Sequence, residues 1–242
     1  MPRVKPQRPI LDKSHPLARG LVLDLPFTER GGDVLDISGH ENNGARTATG
    51  SQYQIGRYGP CLEVDGTTDI PVGDLINDGL PIASKDYWTI SMIFEPKQVI
   101  SAGSMDVLYE RNNSAGRSIL LLGWDASGHL QFSVSDDVGV GYSTSFTQLL
   151  LEVGVPVAVT VTSEQRIGAI YFNGGLVQDF DYTSSGAITP DVHNILKNAW
   201  IAPKAILHSH RAWDRALTAQ EVASLYVDPW QIYRKSRDGY SG

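Results

Sequence analysis

Short runs that alternate apolar and polar residues recur about every ten residues along most of this chain, and Gly, Asn, Asp or Pro closes nearly every one. In "DYWTISMIFEP" the residues Trp88, Ile90, Met92 and Phe94 share one face, as a central strand requires. "GVPVAVTVTSEQRIGAIYFNGGLVQDF" holds three strands, with Asn173-Gly174 between the second and third. Asn-Gly is a strong hairpin signal because both residues of that turn take positive φ. "SILLLGWDASGHLQFSVSD" reads as a hairpin bent at Ala126-Ser127-Gly128, and "CLEVDGTTDIPVGD" as two short strands. "GLVLDLPF" reads as the first strand, followed by a loop from Asp36 to Ala45. No helix alternates with these strands, which excludes parallel βαβ architecture. The pattern predicts an all-β protein: a two-sheet antiparallel β-sandwich of jelly-roll type.

One stretch departs from it. "AILHSHRAW" continues the strand pattern, and Thr218-Ala219-Gln220-Glu221 then forms a capping box. Val222, Leu225 and Tyr226 follow at helical spacing, and Pro229 stops the run. This predicts one short C-terminal helix over about residues 218–227. A helix of two to three turns is too short to stand alone, so it must dock on the sandwich through Val222, Leu225 and Tyr226.

The 242 residues suit one sandwich domain, and 24 glycines with 19% charged residues suit a turn-rich β-protein. Pro2, Pro6, Pro9 and Pro16 make residues 1–19 an extended arm. That arm carries Arg3, Lys5, Arg8, Lys13 and Arg19 against Asp12, although the net charge of the chain is −7. A basic arm on an acidic body is expected either to grip an acidic neighbour or to be a solvated leader. The sandwich is placed at 20–233, with a polar tail at 234–242. The acidic body argues against nucleic acid as a partner. No apolar run is long enough to span a membrane, and the first residues lack the apolar core of a signal peptide. One cysteine, Cys61, allows no internal disulfide and reads as a small buried strand residue.

The order of these pieces resembles the concanavalin A-like lectin/glucanase superfamily in its laminin-G-like branch, over about residues 17–233. "LVLDLPFTERGGDVLDISGHENNGA" resembles the family's first strand and its Asp-x-Ser-Gly loop. "LEVDGTTDIPVGD", "WTISMIFEP", "GVPVAVTVT" and "AIYFNGGLV" fall in the family's order, and "RAWDRALTAQEVASLYVDPW" resembles its closing strand and helix. The opening "HPLARGLV" and the closing "LYVDPWQIY" are similar to laminin-G-like proteins encoded by tailed bacteriophages. That resemblance implies a virion component, made in the host cytoplasm. Its partners would be other virion subunits, such as a major capsid protein, in a multi-copy or homo-oligomeric assembly.

Enzymes of the superfamily carry a Glu-x-Asp-x-Glu type motif that sets two carboxylates on one strand face. The complete motif is absent, because the one Glu-x-Asp of this chain, Glu63-Val64-Asp65, is followed by Gly-Thr-Thr with no second Glu; Asp179 and Asp181 are another same-face pair, and polar residues beside a hairpin usually just meet water. No catalytic residue is expected. His208 and His210 stand two apart on one strand and so share a face, but two ligands make no metal site. No cofactor is expected, apart from the calcium that the resemblance implies through loop oxygens. Asp36, Asn43, Asp65 and Asp69 are the candidates, although His208 stands where the family's terminal strand often has Asp. Sugar binding needs an exposed aromatic platform, for which Trp124, Tyr142 and Trp200 lie nearest loops, whereas Trp88, Trp213 and Trp230 suit the core. The expected function is a non-enzymatic structural or decoration component of a virion. The alternative is a carbohydrate-binding adhesion module of a phage tail or fibre.

Overall fold

A computed structural model describes residues 4–46, 50–66, 70–72, 87–98, 106–113, 118–135, 141–165, 167–181, 190–195 and 204–234. In chain order the strands are β1 (Leu21–Leu25), β2 (Ser51–Gly56), β3 (Gly59–Asp65), β4 (Ile70–Val72), β5 (Tyr87–Pro96), β6 (Asp106–Asn113) and β7 (Ser118–Trp124). They continue as β8 (His129–Ser135), β9 (Gly141–Leu150), β10 (Val157–Glu164), β11 (Ile167–Phe172), β12 (Gly175–Asp181), β13 (Pro190–Ile195) and β14 (Lys204–Trp213), and helix α1 (Ala219–Val227) follows. Among the described residues one sheet runs β12-β11-β10-β5-β14-β3-β2, with β1 also paired to β14. The other runs β4-β13-β6-β7-β8-β9, and all pairings are antiparallel.

The expected alternation sets the core. Trp88, Ile90, Met92 and Phe94 of β5 face inward and meet Leu122, Trp124, Leu130, Phe132 and Val134 of the smaller sheet. The opposite, outer face of the large sheet is covered as well. There Ile93, Tyr171 and Trp213 pack under Leu11, Leu17, Val222, Leu225, Trp230 and Tyr233. The fold is a β-sandwich with a third, partial layer made of helix and flanking chain.

That third layer corrects two expectations. Residues 4–19 do not stand off as a free arm: Leu11 and Leu17 are buried, Leu11 bridges to Tyr233, and Lys5 N–H donates to the Tyr58 carbonyl. Nor is it extended throughout, because Pro16–Ala18 form a 3-10 turn capped by His15, and the outer face supplies the apolar cover that the segment lacks alone. Residues 235–242 of the expected tail lie outside the described residues. The second correction concerns Tyr226, which is 42% exposed, while Val222 and Leu225 are buried. Tyr226 sits at the helix edge across the Asn173-Gly174 turn, where a Cβ on Gly174 would come within 2.8 Å of the Tyr226 Cβ. Both turn residues have positive φ, +50° at Asn173 and +79° at Gly174, as the hairpin reading required.

The layer is tied down by a buried polar group. Arg211 on β14 donates from Nε to the Asp24 carboxylate of β1 at 2.9 Å. Its Nη1 reaches the Pro229 carbonyl at 2.7 Å and its Nη2 the Tyr233 hydroxyl at 2.9 Å. Burial pushes the Asp24 carboxyl up, against the pull of Arg211. For Arg211 the neighbouring Tyr233 and Asp24 outweigh burial and hold the guanidinium above its usual value.

The capping box is formed as the sequence predicts: Glu221 N–H donates to the Thr218 hydroxyl at 3.2 Å, and Thr218 N–H to the Glu221 carboxylate at 2.9 Å. Thr218→Ala removes one of these and is expected to cost about 1 kcal/mol in urea-induced unfolding, with Thr218→Ser close to wild type. An Ala variant as stable as wild type would show that the docked helix needs no cap.

Candidate functional site

The edge strand β2 and the segments that meet it enclose a pocket of about 220 Å³. Three distant stretches line it: Gln7 from the N-terminal segment, Thr28, Glu29 and Arg30 from the loop after β1, and Tyr53, Gln54, Ile55 and Pro60 from β2 and β3. The loop reaches the rim because the chain turns at Phe27, whose φ is +53° while its ring is buried in the core. A bulky residue in that conformation is strained and persists only where packing enforces it. Tyr53 packs against the core, donates its hydroxyl to the Asp33 carbonyl at 3.2 Å, and lies under the Arg46 guanidinium, 5.3 Å from the ring centre. Arg46 is itself fixed by the carbonyls of Gly32 and Ser51. Gln54 pairs in register with Cys61, next to inward Leu62, so its side chain takes the outer face.

Glu29 accepts from Leu35 N–H at 3.0 Å. Burial pushes its carboxyl up, against backbone hydrogen bonds that lower it. Burial, and next the charge of Glu29, pushes the Tyr53 phenol up as well. The pocket therefore offers amide donors and acceptors at Gln7 and Gln54, a guanidinium at Arg30, a hydroxyl at Thr28 and the exposed aliphatic face of Ile55. Glu29 is the one carboxylate among its described lining residues, and a glycosidase needs two. The lining combines many hydrogen-bonding groups with some apolar surface, as small-molecule pockets do.

The sequence-predicted residues lie elsewhere. Trp124 is in the core, stacked on Phe94 with ring centres 5.7 Å apart, so it is no surface platform. Its strand begins Ser-Ile-Leu-Leu-Leu-Gly, too uniformly apolar for alternation to show which face Trp124 takes. Trp200 and the Tyr142 side chain lie outside the described residues, as do Asp69 and Arg3. The two oxygens of Asp36 accept from the N–H groups of Asp24, Ser38 and Asn42 and from the Ser38 hydroxyl. Asn43 in turn accepts from Asp36 N–H. These two residues organise their loop, as Asx turns do. Asp65 is exposed at the end of β3. Of the arm cations, Arg8, Lys13 and Arg19 are exposed, but Lys5 is buried within its own chain.

His208 and His210 do not share a face. The β14–β5 register shifts between Leu207 and Ser209, a bulge that breaks the two-residue period. Leu207 opposite Leu62 is inward, so His208 turns outward, where its ring meets Tyr58 at 4.9 Å. His210 opposite Met92 and Leu25 faces the core. Among the described residues no three His, Cys, Asp or Glu groups gather as metal ligands would.

Against this geometry the comparisons are informative. The family model described as concanavalin A-like lectin/glucanases superfamily, in its Laminin_G_3 form, matches residues 72–223, and the chain belongs to that superfamily. A search of curated protein sequences finds no match. Among solved structures, domain 4 of the extracellular GH43 arabinanase AbnA of Geobacillus stearothermophilus, in complex with arabinotriose, aligns with a TM-score of 0.65 at 16% identity. The match covers 85% of this chain and 98% of that domain. Trypanosoma rangeli sialidase, in complex with sialic acid, gives 0.66 at 15%, covering 89% of this chain and 34% of the sialidase. Botulinum neurotoxin type C, which depends on interaction with two ganglioside molecules to get into cells, gives 0.64 at 13%, covering 89% and 52%. The chain thus spans nearly all of the arabinanase domain but about a third of the sialidase and half of the toxin chain, and the likeness is one of fold.

The two histidines set an acid limit on the fold. Burial, followed by the charges of Lys5 and Arg57, lowers His208 to about 3, and burial alone lowers His210 to about 3. As pH falls through about 6.5 the unfolded chain takes up two protons that the folded chain refuses until near 3. Stability is expected to fall by up to roughly 2.7 kcal/mol per pH unit within that window. Urea unfolding between pH 7 and 4 measures the slope, and His208→Gln should reduce it by about one proton. An unchanged slope would mean that His208 protonates in the folded state.

Proposed function

We propose that this chain is a non-catalytic glycan-binding module that binds sugar in the pocket beside β2. The observation that carries this reading is the pocket's chemistry. Gln7, Thr28, Arg30 and Gln54 supply the mixed donors and acceptors that vicinal hydroxyls need, beside the apolar face of Ile55, with a single carboxylate among the described lining residues. Support comes from the fold's relatives, which include an arabinotriose complex, a sialic acid complex and a ganglioside-dependent toxin. The lack of a complete Glu-x-Asp-x-Glu type motif, with Glu63-Val64-Asp65 followed by no second Glu, supports a binding role without hydrolysis.

The phage resemblance at the two ends supplies a setting. In a virion such a module would act as an adhesin on a tail or fibre. A decoration subunit would use its basic arm to hold a neighbour, and here residues 4–19 are seated on their own sandwich. That seating favours the adhesion reading over the structural one.

A panel of purified oligosaccharides, neutral and acidic, screened by calorimetry or array, tests the site. At least one should bind, and Gln54→Ala and Gln7→Ala should each weaken it about tenfold, or 1.4 kcal/mol. Asp179→Ala, on the far half of the sheet, should leave binding unchanged. Binding that survives both glutamine substitutions, or that is lost with Asp179, would move the site away from β2, and no binding across the panel would overturn the reading.

A further inference from the structure

Lys5 is 1% exposed, and its amine donates to two main-chain carbonyls, those of Pro26 and, at 2.8 Å, His208. A neutral amine has two N–H donors, which this seat satisfies; an ammonium has three. Over the amine, 5.2 Å from the ring centre, stands the indole of Trp230, which gives the charged form partial compensation. The seat is built into the fold. Lys5 N–H donates to the Tyr58 carbonyl at 2.7 Å, and the chain crosses Gly59, whose φ is +109°. A Cβ there would stand 3.2 Å from the Lys5 carbonyl oxygen.

The next anchor is at Ile10 to Asp12, where Ile10 accepts from Arg234 N–H, Leu11 bridges to Tyr233 and Asp12 N–H donates to Ile232. Between the anchors Gln7 and Arg8 are exposed, and Gln7 lines the pocket. Lys5 thus holds one end of a short strap, and the strap holds one wall of the pocket.

We propose that residues 4–9 form a proton-gated strap: Lys5 enters its seat as the neutral amine, and protonation favours release of the strap together with the Gln7 wall. The charged and titratable groups around the amine come from every element that packs on it. Cys61 from β3, Glu29 from the loop and Asp24 from β1 favour the ammonium, while Arg211 from β14 opposes it. His208, also on β14, stays neutral in the neutral range. Burial outweighs the favourable charges and brings the amine from 10.5 down to about 7. The released lysine regains its ordinary value, so from pH 7 upward the open strap binds the proton and the seated strap does not. Seating therefore strengthens as pH rises from about 7 towards 10.5 and is weakest, and constant, below 7. Pro6 and Pro9 limit the entropy gained on release and so favour the seated state.

The Lys5 amide reports the strap directly, because its N–H bond to Tyr58 exists only when the strap is seated. Its hydrogen-exchange protection factor, corrected for intrinsic exchange and measured by NMR between pH 7.5 and 9.5, is expected to rise by up to about tenfold per pH unit in the wild type. Lys5→Met keeps the amide and the stem without the titrating group, and its protection should be flat with pH. Gly59→Ala crowds the seat by another route and should lower protection at every pH while the rest of the chain keeps its protection. A flat wild-type profile, or the same slope in Lys5→Met, overturns the proposal. This test needs no ligand, so its outcome is independent of whether the pocket binds glycan.

Discussion

A guanidinium and a carboxylate, Arg211 and Asp24, meet in the covered layer outside the large sheet with almost no exposure, and the architecture of that layer depends on them. The remaining donors of Arg211 reach Pro229 and Tyr233, and the Tyr233 hydroxyl returns to Asp24 at 3.1 Å. Arg211 also faces the rings of Trp230 and Tyr233, 5.5 and 5.3 Å from their centres. A buried charge left without its partner costs roughly 3–5 kcal/mol, so β1, β14 and the chain after α1 are held to one arrangement. Leu11 pairs with Tyr233, and Lys5 sits beside Trp230. The N-terminal segment is therefore seated on a surface that the ion pair organises, and the Gln7 wall of the pocket follows from it.

The large sheet consequently serves two different purposes on its two faces. Its inner face is apolar apart from His210 and closes the sandwich. Its outer face carries Asp24, Cys61, His208 and Arg211 under a cover of chain ends and helix, and that cover brings in Lys5. The bulge at His208 matters here because it sends one histidine to each face. Burial lowers both, and at His208 the charges of Lys5 and Arg57 add to it.

Much of the fold was legible. Strands over "DYWTISMIFEP" and "AIYF", the Asn173-Gly174 turn and the Thr218 capping box are local patterns whose physics is complete within a few residues. What escaped depends on partners far along the chain. The seat of Lys5 joins residues 21 and 203 positions away, so its charge read as a free arm cation. The bulge that separates His208 from His210 leaves no mark in their spacing. Trp124 sits at the end of an apolar run that conceals which face is inward. β2, "SQYQIG", is too polar to stand out as a strand, although its alternation of Tyr53 and Ile55 with Gln52 and Gln54 is visible once the edge of the sheet is known. The candidate site was missed for that reason, and because three separate segments supply its walls.

A double-mutant cycle on Asp24→Asn and Arg211→Met, read by urea unfolding at pH 7, tests the organising role of the ion pair most directly. Each single substitution is predicted to destabilise by about 3–5 kcal/mol, and the double variant by clearly less than their sum, because neither then buries an unpaired charge. Strictly additive losses would show that the two residues act independently and would contradict the account.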